Sequence, residues 1–223
     1  MKNVLDTLAR AALFGCTVFY WLWLPQQHFA STLDLLLIVG FILLVVPVVW
    51  IGRLMLGKEP GPRRLAWATT FVHFALMFLL GTAIIRAVVT YQGWIGWMLP
   101  IPKQIGWALA VVTGIASVLT VINLAIKGLG APFAIALTRR LTSDWMYAWT
   151  RNPMVLAGLA FLVSLGLWFQ SGLFVAWAVG LVTPAWLVFL KVYEERELEL
   201  RFGDSYLEYK ARTPMLIPRR PGR

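Results

Sequence analysis

Apolar stretches separated by short polar segments make up most of the chain. A helix that crosses the hydrocarbon core of a bilayer, about 30 Å thick, needs about 20 apolar residues. Six stretches approach or exceed that length, over residues 11–24, 33–56, 65–89, 105–126, 153–169 and 173–190. The first and fifth are short, and Pro47 is expected to interrupt the second. The pattern predicts an all-α, polytopic membrane bundle of about six transmembrane helices.

Positive charge collects on one side of these predicted helices. Of the 20 Lys and Arg residues, all but two lie in or beside segments that would share one side of the membrane. The exceptions are Lys103, in an opposite loop, and Arg86, within the third stretch. Because Lys and Arg are enriched in cytoplasmic loops, both termini are predicted to be cytoplasmic. Arg86 is expected to extend toward the outer interface.

Composition narrows the class of protein. Hydrophobic residues make up 60% of the chain and charged residues 13%, whereas a soluble domain has about 25% charged residues. A soluble fold and a disordered chain are thereby excluded. The net charge of +10 is interpreted as an orientation signal and an attraction to membrane lipids, so no nucleic-acid partner is expected. One Cys and two separated His predict no metal site. His73 is expected to hydrogen-bond to a neighbouring helix, with a proton relay as the alternative.

Two polar segments flank the predicted helical hairpin of residues 153–190 and carry the candidate chemistry. In the first, Arg151 precedes Pro153, which is tolerated at the first turn of a helix because no hydrogen bond is lost there. Free N–H groups and the helix dipole at that turn predict either an anion site or a capped helix with an interfacial arginine. In the second, Glu194 and Glu195 follow the sixth stretch, where an unpaired carboxylate is costly. Together the segments indicate a closed cytoplasmic pocket.

Local signals predict how the chain continues after the sixth stretch. The helix is expected to extend to Gly203, followed by a short helix capped by Asp204 and by a tail bounded by prolines. Glu197, Glu199 and Glu208 are expected on a solvated charged face. The three-residue connection at 170–172 predicts a tight antiparallel hairpin of the fifth and sixth helices.

The two segments resemble the isoprenylcysteine carboxyl methyltransferase family, which also includes phospholipid methyltransferases. The family patterns are G-x-Y-x-x-x-R-[HN]-P before a hairpin, then E-E-x-x-L-x-x-x-F-G-x-x-Y-x-x-Y and a proline-containing tail. The matching residues are Tyr147, Ala148, Trp149, Arg151, Asn152 and Pro153, then Glu194, Glu195, Leu198, Phe202, Gly203, Tyr206, Tyr209, Pro214 and Pro218. The resemblance covers about the last ninety residues.

The resemblance implies an integral membrane enzyme that uses S-adenosyl-L-methionine without a Rossmann domain. The residues implied to line the cofactor pocket are Arg139, Arg140, Leu141, Thr142, Tyr147, Asn152, Pro153, Met154, Val155 and Glu194. As a hypothesis, catalytic roles fall to Glu194, Glu195 and Arg151. The acceptor is expected to be a lipophilic or membrane-partitioning carboxylate, thiol or amine that enters from the bilayer, and neither glutamate is singled out as the base.

On this interpretation residues 1–126 form four N-terminal transmembrane helices and residues 127–223 a methyltransferase-like catalytic core. The protein is expected to be a multi-pass membrane protein, in the plasma (inner) membrane if prokaryotic, with the active site facing the cytoplasm. Two alternatives stay open. One is a sterol-reductase-like, NADPH-dependent membrane reductase with a similar hairpin, and the other is a non-catalytic membrane binding protein on the same scaffold.

Overall fold

The structure is a computed structural model that describes residues 2–91, 96–128 and 140–220. Within these ranges the chain is helical and has no β-strand, so the predicted all-α class is confirmed. The helices are α1 (Lys2–Trp23), α2 (Ser31–Leu56), α3 (Pro62–Val89), α4 (Lys103–Gly128), α5 (Pro153–Trp168), α6 (Gly172–Phe202) and α7 (Asp204–Arg212). Short 3₁₀ turns lie at Leu24–Gln26 and Trp145–Ala148.

Length and apolar composition identify the membrane-crossing helices. In the described part of the chain five helices are long and apolar enough to cross a membrane, and α5 is a shorter apolar helix. Large apolar side chains on α1, α2 and α4 remain exposed, as a lipid-facing surface requires. The chain is an integral membrane protein, while the count of six crossings and the cytoplasmic termini stay predictions. The expected interruption of α2 at Pro47 is wrong, because the helix continues through it.

The core lies where α2, α3 and α6 meet. Val45 and Val49 of α2, Val72 of α3 and Val182 of α6 are fully buried there. The imidazole of His73 packs edge-on against a phenylalanine of α6. Its Nδ1–H donates to the carbonyl of Thr69 at 2.9 Å, one turn earlier in the same helix. The predicted hydrogen bond to a neighbouring helix is therefore wrong.

Arg86 of α3 lies in a buried ion pair instead of extending to the outer interface. Its side chain is 2% exposed, and Nη2 and Nε lie 2.6 and 2.7 Å from one carboxylate oxygen of Asp34 in α2. Nη1 donates to the carbonyls of Leu24 and Gln27 at 3.2 and 2.9 Å. The expectation from the sequence is wrong because the loop between α1 and α2 covers this end of α3. Arg86 thus joins α2 and that loop to α3.

The hairpin of α5 and α6 has the predicted tight connection. Between the two helices Gln170 has a left-handed backbone, with φ of +56°. The Ser171 hydroxyl oxygen accepts from the N–H of Phe174 at 3.1 Å and caps α6. At its other end α6 stops at Gly203, where φ is +53°. The predicted helix end is confirmed, but Gly203 and not Asp204 occupies the cap of α7, where no side-chain hydrogen bond is made.

Candidate functional site

The first candidate segment forms a short turn ahead of α5. Residues Trp145–Ala148 make the 3₁₀ turn, and Pro153 is the first residue of α5, as the sequence predicts. Tyr147 is buried, and the hydroxyl of Tyr209 in α7 donates to its carbonyl at 2.7 Å. Burial raises the pKa of the Tyr147 hydroxyl, and the negative charge of Glu194 raises it further. Tyr147 therefore stays protonated at neutral pH.

The C-terminal tail, residues 213–220, lies along this segment. The main chain of the tail bonds to main-chain and side-chain groups of the first segment, which fixes the tail against the start of α5. The bonds run from Arg151 N to Pro214 O (2.9 Å), Thr150 Oγ1 to Met215 O (3.0 Å), Asn152 Nδ2 to Met215 O (2.9 Å) and Arg219 N to Trp149 O (3.0 Å). The tail of the second candidate segment is thereby brought against the first, although more than sixty residues separate the bonded pairs.

A salt-bridge network connects the segment before α5 to α6 and α7. Nη2 of Arg151 lies 2.9 Å from Oε1 of Glu195, and Nζ of Lys210 lies 2.7 Å from Oε2 of the same carboxylate. Nη1 of Arg151 donates to the hydroxyl of Tyr206 at 3.2 Å. Hydrogen bonding to Glu195 raises the pKa of Lys210, so this cation is retained. Both oxygens of Glu195 are therefore engaged in ion pairs.

Polar groups without a protein partner occur in both candidate segments. Nε of Arg151 and Oγ1 of Thr142 are buried and have no hydrogen-bond partner in the described part of the chain. Glu194 has neither an ion pair nor a hydrogen bond to any residue that the structure describes, although Arg151 and Tyr147 lie within electrostatic range. Buried polar groups in folded proteins are nearly always paired. Thr142 and Arg151 of the first segment and Glu194 of the second can therefore each accept a polar ligand as a partner.

The structure brings the two segments together but does not account for every residue named from the sequence. Arg139 lies outside the described residues. Arg140 is exposed, and its backbone N–H donates to the carbonyl of Gly128 at 3.3 Å. This bond connects the first candidate segment to the end of α4. Leu141 and Met154 are half-buried, and Pro153 and Val155 are buried at the start of α5. The side chain of Asn152 does not cap that helix, since its amide nitrogen donates to the tail.

Glu197 contradicts the expected solvated charged face. It is 2% exposed, its Oε1 lies 2.8 Å from Nη1 of Arg201, and the Thr69 hydroxyl of α3 donates to the same oxygen at 3.1 Å. The spacing of four residues to Arg201 signals an ion pair on one helix face. The contact with α3 has no local signal in the sequence, because 128 residues separate the partners.

The fold and this region define an integral membrane protein with a polar site at one end of a helical hairpin. Residues 102–205 match the family model for phospholipid methyltransferases. Over these residues the chain is similar to a family of integral membrane methyltransferases, and the family resemblance predicted from the sequence is confirmed. The match begins directly before α4, earlier than the predicted core at residue 127. No curated protein and no solved structure matches the chain.

Proposed function

We propose that the protein transfers a methyl group from S-adenosyl-L-methionine to a lipophilic acceptor that enters from the bilayer. The observation that carries the proposal is the pair of buried, unpartnered atoms Thr142 Oγ1 and Arg151 Nε, inside the region that matches the methyltransferase family. Glu194, in the same region, makes no ion pair or hydrogen bond with a described residue. A binding site for a polar cofactor needs a few oriented polar groups in a largely apolar pocket. The donors and the carboxylate fit a ligand that carries both negative and positive groups, as S-adenosylmethionine does.

Different residues of the site are assigned to different parts of that cofactor. Glu194 binds a cationic or polar part, since it makes no ion pair with a described residue and only the more distant charge of Arg151 acts on it. Nε of Arg151 and the N–H groups at the start of α5, where Asn152 does not cap the helix, bind the carboxylate. Tyr147 packs against the nucleoside and Thr142 supplies a hydroxyl. The remaining lining residues named from the sequence, Arg139 among them, stay predictions.

Methyl transfer requires that donor and acceptor are correctly positioned and, with an amine or thiol acceptor, that a base takes up a proton. S-adenosylmethionine supplies an electrophilic methyl group on sulfur and leaves as a neutral thioether, so neither a metal nor a covalent nucleophile is required. Protein groups orient the acceptor, exclude water and take the proton that an amine or thiol releases. Glu194 is assigned as the base, through the oxygen that does not bind the cofactor, because both oxygens of Glu195 are held by Arg151 and Lys210. Arg151 and Glu195 are assigned to fix the geometry of the site.

The acceptor and the location of the site complete the proposal. A family described as phospholipid methyltransferases supports a lipid acceptor, and a carboxylate, a thiol and an amine all stay open. The distribution of Lys and Arg favours a site that faces the cytoplasm, at the plasma (inner) membrane if the source is prokaryotic. Within the described residues no group of three or more His, Cys, Asp and Glu is placed to hold a metal ion.

Calorimetric titration of the purified protein with S-adenosylhomocysteine tests cofactor use. We expect the parent protein to bind, and Glu194→Ala to bind about ten- to a hundredfold more weakly, because a hydrogen bond to a charged group is lost. Glu208→Ala is the matched control, since Glu208 is exposed on α7 and should leave affinity unchanged. Equal binding by Glu194→Ala and the parent, or none by the parent, would contradict the proposal. Thermal protection by NADPH but not by S-adenosylmethionine would favour the reductase instead.

A further inference from the structure

Two adjoining cavities lie along the contact between α4 and α5. One is a groove of about 470 Å³ with aliphatic and aromatic walls. The other is a pocket of about 360 Å³, whose walls include Tyr91, Lys103 and Phe169. Leu165 and Trp168 of α5 line both cavities, so groove and pocket together form one α4–α5 crevice.

The α4–α5 crevice follows one face of α4. Lys103 lines the pocket, while Trp107 and Val111, one and two turns later on the same face, line the groove. The start of α4 packs on the end of α5, since a Cβ added to Gly106 would overlap the backbone at Trp168. The pocket therefore lies at the end of α5. The 16 residues of α5 correspond to about 24 Å, so the candidate site at its start is on the other side of the membrane.

Lys103 gives the pocket a positive charge. It is exposed and makes no ion pair with a described residue. The two loops at this end of the hairpin, residues 90–102 and 169–171, contain no Asp or Glu, and Asp34 is already paired with Arg86. As the first residue of α4, Lys103 also lies where the helix dipole disfavours a cation, and the first turn of that helix has no acidic residue. An anion bound in the pocket would compensate both effects.

Aromatic side chains indicate the depth of the pocket in the membrane. The rings of Tyr91 and Phe169 stack in its wall with their centroids 4.1 Å apart. Trp107 and Trp168, which are 54% and 39% exposed, lie beside the opening of the groove. Tyr and Trp are enriched where the hydrocarbon of a bilayer meets the headgroups. The pocket is therefore at the level of the headgroups, and the groove, which continues along α4, is at the level of the acyl chains.

We propose that the α4–α5 crevice binds one anionic phospholipid from the leaflet opposite the candidate site, with its phosphate at Lys103 and an acyl chain in the groove. Lipid tails are as apolar as the side chains of a membrane helix, so the groove alone selects no particular headgroup. Selectivity for an anionic lipid comes from the charge of Lys103. A phosphate held there is the length of α5 away from the candidate site, so this lipid is not the methyl acceptor. The inference is therefore independent of the proposed function.

Native mass spectrometry of the purified protein in a non-ionic detergent tests the site. The protein is titrated with phosphatidylglycerol and with phosphatidylcholine of the same acyl chains, so that only the headgroup differs. Lys103→Gln removes the charge from the pocket, and Lys58→Gln is its matched control, since Lys58 is an exposed lysine at the other end of the bundle. Val111→Trp fills the groove, and Val112→Trp is its control, because Val112 is an exposed neighbour outside the groove lining.

We expect the parent to bind one phosphatidylglycerol about fivefold more tightly than phosphatidylcholine, and Lys103→Gln to lose that preference, because one lysine near an anionic headgroup contributes about that factor. Val111→Trp should lose the binding of both lipids, while both controls should bind like the parent. Parent-like binding by Lys103→Gln or Val111→Trp, or an equal loss in Val112→Trp, would overturn the inference. So would displacement of phosphatidylglycerol by an equal concentration of inorganic phosphate, which would indicate a simple anion site. None of these measurements involves a methyl donor, so each outcome leaves the proposed function to its own test.

Discussion

The buried ion pair between Arg86 and Asp34 provides a quantitative test of the packing of α1, α2 and α3. Arg86→Met keeps the length of the side chain and removes its charge. It leaves the Asp34 carboxylate, 14% exposed, without its cation and the carbonyls of Leu24 and Gln27 without their donor. Loss of one partner from a buried pair costs about 3–5 kcal/mol. For a chain of this size that lowers the melting midpoint by about 6–20 °C.

The assay is thermal unfolding in detergent, followed by the fluorescence of the native tryptophans. Arg53→Met is the matched control, because Arg53 is a half-buried arginine of α2 with no ion pair among the described residues. The double variant Arg86→Met/Asp34→Leu removes both charges and should recover part of the loss, since only the two carbonyls stay unpaired. Equal midpoints for Arg86→Met and Arg53→Met would refute the reasoning, as would losses that simply add in the double variant.

Three further predictions concern the site and the helix packing. Thr142→Val removes a buried hydroxyl that has no protein partner, so S-adenosylhomocysteine should bind about two- to tenfold more weakly by calorimetry at an unchanged melting midpoint; unchanged affinity would argue against a cofactor contact. Asn152→Leu removes the side-chain donor to the tail and should lower the midpoint by about 2–4 °C; a parent-like melting curve would contradict the role of the tail. Gly106→Ala adds a methyl group that overlaps the backbone of Trp168 and should cost about 1–3 kcal/mol. Gly158→Ala, which meets open space on α5, should not destabilise the protein, and equal losses in both variants would contradict the close approach.

Local chemistry explains which parts of the fold the sequence predicts. Pro153 starts α5 because its missing N–H costs nothing in a first turn, and Gly203 ends α6 because it tolerates a positive φ. Both signals depend only on neighbouring residues. Arg86 and Glu197 were predicted wrongly because their partners, Asp34 and Thr69, are 52 and 128 residues away. Only tertiary packing decides whether such a charge is solvated or buried.

In the candidate site, too, some features can be predicted from the sequence and others depend on the fold. The motif around Arg151 and the pair Glu194 and Glu195 are visible in the sequence, because residue type and spacing mark them. Their different environments are not visible in the sequence, since adjacent glutamates look alike until the fold gives Glu195 two ion pairs and Glu194 none among the described residues.

Transfer of a labelled methyl group from S-adenosylmethionine into the organic phase tests the central claim most directly. The purified protein is offered hexadecylamine, hexadecanethiol and palmitate, beside a total phospholipid extract, and Glu194→Gln is compared with the exposed-site control Glu208→Gln. We expect the parent and Glu208→Gln to label at least one lipophilic acceptor. With an amine or thiol, Glu194→Gln should lower kcat by about a hundredfold or more, the contribution of a general base. Absence of label in every acceptor with the parent protein, or equal kcat values for Glu194→Gln and Glu208→Gln on an amine or thiol, would contradict the account.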